Sequence, residues 1–358
     1  MQLPFRIFDE TPTERVITMD GAGGAPGLEL SHWPGNRTPE GLKHDLSTGI
    51  ALNFSSLPQE ERDLLSDGCQ ELVNNHYDTD GCLAALSILK GEWALAHRDQ
   101  LLLTAAAGDF FSAATDESLM LDAAITNLAN SERSDLDFGG MSLCERHQTA
   151  SLAAFERVPA WLDGQLEKDT HLWAPELAAW RADTEDLKRA VHDDLAHLDF
   201  SIWTAGPGQA SSRPQATGFD PGRHALWSIS AADRILVLSH SKDGTRARFL
   251  VSTASWFDLV TRTTHPRPDL KALCAELNQL EGCTVKDEHH WRHQDPTTPS
   301  PELWFGANQS ALFLEHGEGA LKPSALDPQL IKRLVTQAVR DAWSFEEEDE
   351  DSDGDWQI

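Results

Sequence analysis

The N-terminal half of the chain alternates short apolar runs with stretches that favour helices. Strands are predicted at Phe5–Asp9, Arg15–Asp20 and Leu28–Trp33 and in the run that begins at Leu72, and helices at Pro39–Phe54, from Gly81 to about Leu89, and at Glu92–Ala107. Strands that alternate with helices are typical of a parallel sheet. We therefore expect an α/β fold whose first domain contains a parallel sheet and many helices.

The pattern changes after a segment rich in Pro, Gly and Ser at 204–222. Beyond it, strands are predicted at Ala225–Ser230, Arg234–His240, Ala247–Thr253, Cys283–Val285 and Leu303–Phe305, and helices at Asp269–Leu280 and Pro328–Trp343. A tight-turn signal at Lys242-Asp243-Gly244 joins two of these strands, which indicates an antiparallel meander. The second domain is therefore predicted to be smaller and of the α+β class.

These patterns divide the chain into a first domain at 1–203, a linker or long loop at 204–222 and a smaller domain at 223–345. Helical periodicity dominates the end of the first domain, including the stretch from Pro175 to His197. The acidic run that begins at Glu346 predicts a disordered tail at 346–358, because like charges in sequence repel one another.

The charge balance narrows the range of partners. The chain of 358 residues carries 29 basic and 58 acidic side chains, a formal net charge of −29. This charge disfavours non-specific binding to nucleic acid, so a phosphate-containing substrate is expected to be small. The five cysteines are scattered and form no pattern typical of a zinc knot or a disulfide framework. No apolar run approaches the length that crosses a membrane, and we expect a cytoplasmic protein that does not bind membranes.

The densest group of metal-ligating side chains follows the strand predicted at Leu72. Its sequence is His76-Tyr77-Asp78-Thr79-Asp80-Gly81, and a run of helix-forming residues comes next. Side chains two positions apart on an extended chain point the same way, so His76, Asp78 and Asp80 are expected to converge. Imidazole and carboxylate groups bind hard or borderline divalent cations, and the start of the following helix favours a phosphate. This segment therefore predicts a metal-dependent phosphoester site.

Other polar residues are candidates for the same crevice. His32, Asn36 and Arg37 follow a predicted strand, and His44 and Asp45 lie in the second turn of the first predicted helix. Ligands of open α/β sheets bind at the carboxyl ends of strands, so His32, Asn36, Arg37 and His44 are candidate substrate-binding residues. Alternatively, His32 and Asn36 satisfy the loop backbone, while His44 and Asp45 form a solvated helix face.

Two arginines of the second predicted domain are further candidates. Arg262 and Arg267 belong to a basic group in an otherwise acidic chain. Guanidinium groups suit the recognition of phosphate oxygens, so these residues are candidates for holding the non-reacting end of a substrate. Surface charge balance is the alternative interpretation.

The segment His76-Tyr77-Asp78-Thr79-Asp80-Gly81, together with the apolar run before it and the helix after it, resembles the first motif of the DHH phosphoesterase superfamily. The resemblance implies a DHH-like α/β domain in which His76, Asp78 and Asp80 bind one or two Mn²⁺ or Mg²⁺ ions. It also implies that Asp109 belongs to a second motif and bridges the metals. The Asp-His-His motif of that superfamily does not occur at the expected place.

A second resemblance covers more of the N-terminal region. The segments around His32–Asp45, His76–Asp80 and Gly108-Asp109 are similar to those of an uncharacterised bacterial protein family. This resemblance does not imply a particular activity.

Three hypotheses about function follow. In the first, the chain is a metal-dependent phosphohydrolase of the phosphodiesterase or pyrophosphatase type, with His76, Asp78, Asp80 and Asp109 as catalytic and metal-binding residues. In the second, it is a non-catalytic metal- or nucleotide-binding module. In the third, it is an interaction scaffold whose acidic tail contacts a basic partner. The sequence leaves the substrate, the metal and the oligomeric state open.

Overall fold

The computed structural model describes residues 3–21, 23–206, 208–213, 218–307 and 321–350 of the chain. The chain forms two compact units: Met1–Ala178 with Phe257–Thr263, and Ala179–Trp256 with Thr264–Ile358. Among the described residues, no helix is both long enough and apolar enough to span a bilayer.

The first unit is built around a parallel sheet. Its strands and helices are β1 (Phe5–Ile7), β2 (Val16–Met19), β3 (Gly27–Leu30), α1 (Ser47–Ser56), α2 (Gln59–Leu65), β4 (Leu72–Asn74), α3 (Thr79–Ala96), α4 (Arg98–Asp109), α5 (Asp116–Leu128), α6 (Leu143–Ala160) and the first part of α7 (Thr170–Arg189). In the described part of this unit the strand order is β1-β4-β2-β3, and each neighbouring pair is parallel. The predicted α/β class and parallel sheet are confirmed.

The topology brings the ends of three strands to one edge of this sheet. β2 lies between β3 and β4 and is parallel to both, so their carboxyl ends point the same way. Asp20 follows β2, while His32 and His76 come shortly after β3 and β4. All four residues of β2 are buried, as expected for a strand covered on both faces. Polar side chains therefore gather on a rigid and buried support.

The helix predicted at Pro39–Phe54 is wrong in its first half. Glu40–Leu42 form a single turn of 3-10 helix, and α1 begins only at Ser47. His44 and Asp45 therefore lie in the loop before α1 rather than in a second helical turn.

A tertiary contact explains the late start of α1. The two carboxylate oxygens of Asp80 accept hydrogen bonds from the backbone N–H groups of Ser47 and Thr48, at 2.7 and 2.8 Å. These N–H groups have no partner within the helix because they belong to its first turn. The sequence around Pro39 could not reveal a cap that comes from a different segment.

The second unit contains a mixed sheet. Its elements are the end of α7, β5 (Val191–Leu195), β6 (Phe200–Thr204), α8 (Arg223–Ile229), β7 (Arg234–Ser241), β8 (Gly244–Val251), α9 (Leu270–Glu281), β9 (His290–His293), β10 (Glu302–Gly306) and α10 (Pro328–Glu350). For the residues described here, the strand order is β5-β6-β7-β8-β10-β9. The β6–β7 pair is parallel, and the other pairs are antiparallel. The predicted tight turn between β7 and β8 is confirmed, since Ser241 pairs with Gly244.

Some predicted elements of this region differ from the structure. Val191–Leu195 is a strand and not the end of a helix, because its backbone pairs with β6. The strand predicted at Ala225–Ser230 is instead largely part of α8, and the described chain has no strand at Cys283–Val285. Short runs of this length fit both the periodicity of a helix and that of a strand, and tertiary packing decides which of the two forms.

The compact units also divide at a different place from the predicted domains. β5 and β6 belong to the sheet of the second unit, so that unit begins at Ala179 and not after the predicted segment at 204–222. Residues 207 and 214–217 of that segment lie outside the described residues. α10 extends into the acidic run as far as Glu350, and the rest of the predicted tail, 351–358, also lies outside them.

A buried ionic network crosses the second sheet. Glu302 on β10 binds the guanidinium groups of Arg223 and Arg248, and the three side chains are 3, 2 and 8 % exposed. Arg248 also contacts Asp220 at 3.2 Å, and Arg223 donates to the Ser300 hydroxyl at 2.7 Å. Charges buried this deeply require such partners.

Candidate metal centre

Asp20 is the residue around which the polar edge of the first sheet is arranged. It is fully buried and has a left-handed backbone with φ of 59°, a conformation that aspartate tolerates better than most residues. Among the described residues, neither carboxylate oxygen has a hydrogen-bond partner. Instead, Oδ1 lies 3.4 Å from Nε2 of His32, and Oδ2 lies 3.0 Å from Nε2 of His76. Asp20 thus stands between two imidazoles.

His32 is held with one ring nitrogen fixed. Its Nδ1 lies 2.6 Å from the backbone carbonyl oxygen of Asp45, and a carbonyl can only accept, so Nδ1 carries the proton. Nε2 then faces carboxylate oxygens of Asp109, Asp20 and Asp80 at 3.1, 3.4 and 3.8 Å. A lone pair directed at carboxylates is repelled unless a proton or a cation lies between them. Metal-binding histidines have this second contact through the other nitrogen.

His76 repeats this arrangement on the other side of Asp20. Its Nδ1 contacts Oδ1 of Asn75 at 2.7 Å. Its Nε2 lies 2.9 Å from Oδ2 of Asp78 and 3.0 Å from Oδ2 of Asp20. The ring of Trp33 packs beside it, with 5.1 Å between ring centroids. The side chains of His76 and Asp78 are 25 and 40 % exposed, so this side of the cluster is open to solvent.

The cluster therefore consists of two groups that share Asp20. We call Asp20, His32, Asp80 and Asp109 the inner group, and Asp20, His76 and Asp78 the outer group. In each group the candidate ligand atoms lie within 4.8 Å of one another. The inner group is buried, and the outer group is partly exposed. Imidazole and carboxylate ligands suit Mn²⁺ or Mg²⁺, and a shared carboxylate can bridge two ions.

Helix ends position the acidic ligands. Asp78 caps α3, accepting a hydrogen bond from the N–H of Gly81 at 2.9 Å, and Asp80 caps α1 as described above. Asp109 is the last residue of α4. Its neighbour Gly108 allows α4 to approach α3, because a Cβ on it would lie 2.8 Å from Cβ of Thr79. Each of these acids therefore lies at or beside a helix end, and Asp80, which belongs to α3, is held by the first turn of α1.

Burial and mutual charge shift the pKa values of the cluster. Burial raises the pKa of Asp80 to about 6, and the nearby Asp20 adds to the rise. Burial also raises the pKa of Asp109. Burial acts to raise the pKa of Asp20 as well, but His32 and His76 lower it overall. For both histidines burial opposes the charged ring, yet the carboxylates raise their pKa values well above the usual range. Metal binding would require these groups to release any protons that they hold.

A charge count supports the fit of divalent ions. The two groups contain four carboxylates and two imidazoles. Histidine binds a metal as the neutral imidazole, so four ionised carboxylates leave a net charge of −4, which two divalent cations would balance. Uncompensated charge in a mostly buried site is costly, and divalent cations would remove this cost.

The structure brings together all four residues predicted as metal ligands: His76, Asp78, Asp80 and Asp109. It adds Asp20, which sequence reasoning missed. It also places His32, predicted to bind substrate, among the inner carboxylates. The signal for Asp20 was its position at the end of a predicted strand, the same criterion that selected the neighbouring segments.

The other predicted substrate-binding residues of the first unit have hydrogen-bond partners within that unit. Arg37 binds Glu29 and the carbonyl oxygen of Ala25, and Asn36 donates to the carbonyl oxygen of Trp33 and to Oδ2 of Asp258. His44 accepts a hydrogen bond from the N–H of Leu46 on its Nδ1. These contacts shape the loop before α1.

The two predicted arginines fall in different units. Arg262 lies in the segment of the first unit at Phe257–Thr263. Arg267 lies in the second unit, where its guanidinium donates to the carbonyl oxygens of Pro296, Thr298 and Pro299. Burial lowers its pKa to about 10. The contacts of Arg267 organise a loop of the second unit.

Gly81→Ala is expected to disturb the outer group. A Cβ at this position would lie 3.0 Å from Oδ2 of Asp20 and from Oδ1 of Asp78, and it would collide with the side chain of Asn74. Overpacking of this kind costs about 1–3 kcal/mol. We expect a lower melting temperature and a lower metal content by elemental analysis. Gly41→Ala is the matched control, since no atom lies within 4 Å of its added Cβ; equal losses in both variants would contradict the assignment.

The fold and the site together define an α/β protein with a candidate metal centre at the carboxyl edge of a parallel sheet. The chain belongs to a family of unknown function, DUF6687, whose model matches residues 1–350. The expected membership of an uncharacterised family is thereby confirmed. A search of curated proteins found no match. The resemblance to DHH phosphoesterases stays a prediction.

Proposed function

We propose that the chain is a metal-dependent phosphohydrolase, of the phosphodiesterase or pyrophosphatase type, acting on a small phosphate-containing substrate. The observation that carries this proposal is Asp20, whose two buried oxygens face the Nε2 atoms of His32 and His76. Asp20, His32, Asp80 and Asp109 would hold one Mn²⁺ or Mg²⁺ ion, and Asp20, His76 and Asp78 would hold a second. When bound, such ions polarise a phosphoryl oxygen and lower the pKa of water.

The chain's own residues favour the outer group as the place where a substrate binds. His76 and Asp78 are partly exposed, whereas the ligands of the inner group are at most 8 % exposed. Asp78 caps α3, so the outer group lies at the positive end of that helix, which favours a phosphate. The ring of Trp33 limits one side of His76. The charge of −29 favours a small substrate over a nucleic acid.

The test combines metal content with turnover. Protein produced with manganese is analysed for metal and assayed with bis(p-nitrophenyl) phosphate and with pyrophosphate. We expect about two equivalents of metal and manganese-dependent hydrolysis of at least one substrate. His76→Ala and Asp78→Asn each remove one ligand of the outer group and should lower hydrolysis by about tenfold or more. Asp63→Asn, an exposed change on α2, is the matched control and should have no effect.

A non-catalytic metal-binding protein is the second candidate. It is favoured by Asp80, whose two oxygens already accept backbone hydrogen bonds from α1, as in a site that stabilises the fold. Metal binding without turnover of either substrate would favour this candidate. Metal-free protein, with no rise in melting temperature on adding Mn²⁺, would reject both.

A further inference from the structure

A segment distant in sequence lies against the inner group. The chain leaves the second unit after Trp256, contributes Phe257–Thr263 to the first unit, and returns to the second unit at Thr264. We call Phe257–Thr263 the covering segment. Nothing in its composition marks it as part of a metal site, and none of its side chains is a candidate ligand in the two groups.

Phe257 packs directly on the imidazole of His32. The two rings are stacked, with 3.8 Å between centroids and 20° between planes. Phe257 also makes an edge-to-face contact with Phe110, with 5.9 Å between ring centroids, and Phe110 follows the candidate ligand Asp109. Phe257 is 7 % exposed. Its ring therefore separates part of the inner group from solvent.

Asp45 holds the covering segment with its side chain. Its Oδ1 accepts hydrogen bonds from the N–H groups of Val260 and Thr261, at 2.7 and 3.0 Å. Its Oδ2 accepts one from the Thr261 hydroxyl. The backbone also connects the segment to the site, because the N–H of Asp258 donates to the carbonyl oxygen of His32 at 2.8 Å.

The same residue also orients His32, through its main chain. The carbonyl oxygen of Asp45 accepts the Nδ1 proton that fixes the imidazole. Asp45 thus connects the segment that covers His32 with the contact that orients His32. Outer contacts of this type control the orientation of a ligand and the access of solvent to a metal.

We propose that Asp45 is a positioning residue and that, together with Phe257, it locks His32 in its metal-binding orientation and closes the inner group. An ion in the inner group then leaves slowly, and an ion in the outer group exchanges freely. This inference rests on the metal site of the proposed function but requires no hydrolysis.

The experiment measures the release of Co²⁺, whose absorption spectrum reports its ligands. Cobalt-loaded protein is mixed with excess EDTA, and the loss of absorption is followed in time. The wild type should release cobalt in a fast phase and a slow phase. Asp45→Ala keeps the carbonyl that contacts His32 but removes both side-chain oxygens and the three hydrogen bonds that they accept, and Phe257→Ala removes the stacked ring. Each should accelerate the slow phase by about tenfold or more and leave the fast phase unchanged.

Two variants separate positioning from general damage. Glu40→Gln changes a carboxylate that precedes Asp45, is 87 % exposed and pairs with Lys43 rather than with the covering segment, and it should release cobalt like the wild type. Asp45→Asn keeps an oxygen for the N–H groups of Val260 and Thr261. Its slow phase of cobalt release should therefore have a rate closer to that of the wild type than to that of Asp45→Ala. If an alanine variant does not fold, Asp45→Asn and Phe257→Leu are compared with the wild type instead. Each should accelerate the slow phase of cobalt release by a smaller factor.

The outcomes distinguish this inference from the proposed function. A wild type that binds no cobalt would reject the metal site and with it the proposed function. A wild type with a slow phase that Asp45→Ala, Phe257→Ala and the milder variants do not accelerate would overturn this inference alone. A single release phase in the wild type would also overturn it, because the inner and outer groups would then exchange alike.

Discussion

Replacing Asp20 with asparagine is expected to remove most of the bound metal from both groups. Asp20 is the one residue that the inner and outer groups share, and a neutral amide is a weaker ligand for a hard cation than a carboxylate. We expect the metal content to fall from about two equivalents per chain to well below one. Elemental analysis after growth with manganese measures this loss. Asp9→Asn, an exposed aspartate that follows β1 of the same sheet, is the matched control.

Thermal stability provides an independent measure of the same change. A ligand present at 100 times its dissociation constant stabilises the folded state by about 2.7 kcal/mol. Added Mn²⁺ should therefore raise the melting temperature of the wild type but not that of Asp20→Asn. With a chelator present, the variant should be less stable than the wild type, because the amide loses the favourable interactions with His32 and His76 that lower the pKa of Asp20. Equal stabilisation of both proteins by Mn²⁺ would show that the metal binds elsewhere.

Glu302→Gln is expected to destabilise the second unit strongly. Glu302 is the acidic partner shared by the buried guanidinium groups of Arg223 and Arg248. The amide keeps the shape but loses the charge, and removing one partner from a buried ion pair costs about 3–5 kcal/mol. Urea denaturation at pH 7 measures the free energy of unfolding. Glu288→Gln is the control, since the side chain of Glu288 is 89 % exposed. A loss below about 1 kcal/mol, the value of an exposed pair, would contradict this account.

Glu302→Gln should also change the pH dependence of the free energy of unfolding. Burial acts to raise the pKa of Glu302, but Arg248 and Arg223 outweigh it and lower the pKa from 4.5 to about 2. A carboxylate whose pKa is lowered by folding stabilises the folded state above its unfolded pKa, and this contribution is lost as the pH falls through the folded pKa. The free energy of unfolding of the wild type should therefore decrease between about pH 4.5 and 2. The decrease should be smaller in Glu302→Gln.

Much of the first sheet was predictable because the relevant signals are local. The segment from Leu72 to Gly81 has an apolar run, a polar loop and a glycine before a helix, and the structure has β4 and α3 there. Asp20 was missed because it ends its own strand and is followed by a glycine-rich stretch without a helix. Its importance arises from the position of β2 between β3 and β4, which local patterns do not encode.

Long-range contacts account for the other differences. The start of α1 is set by Asp80, which lies 33 residues after Ser47 in sequence. β5 is a strand because β6 pairs with it, although its sequence continues the helical periodicity of α7. The role of Phe257 was not predictable, since a lone phenylalanine far from the ligands carries no sequence signal. The ligands themselves were recognised more easily than the residues that hold them.

The covering segment also has a consequence for the order of events during synthesis. Asp109, the last candidate ligand, precedes Phe257 in the chain, so every ligand leaves the ribosome before the segment that covers His32 has been made. At a translation rate of ~5–20 residues per second, the interval between them is on the order of ten seconds. In the proposed metal site, an ion would enter the inner group most easily while that group is uncovered, and the arrival of Phe257 would then trap it. Metal supply during translation would therefore set how much of the inner group is loaded, while the outer group could still be filled afterwards.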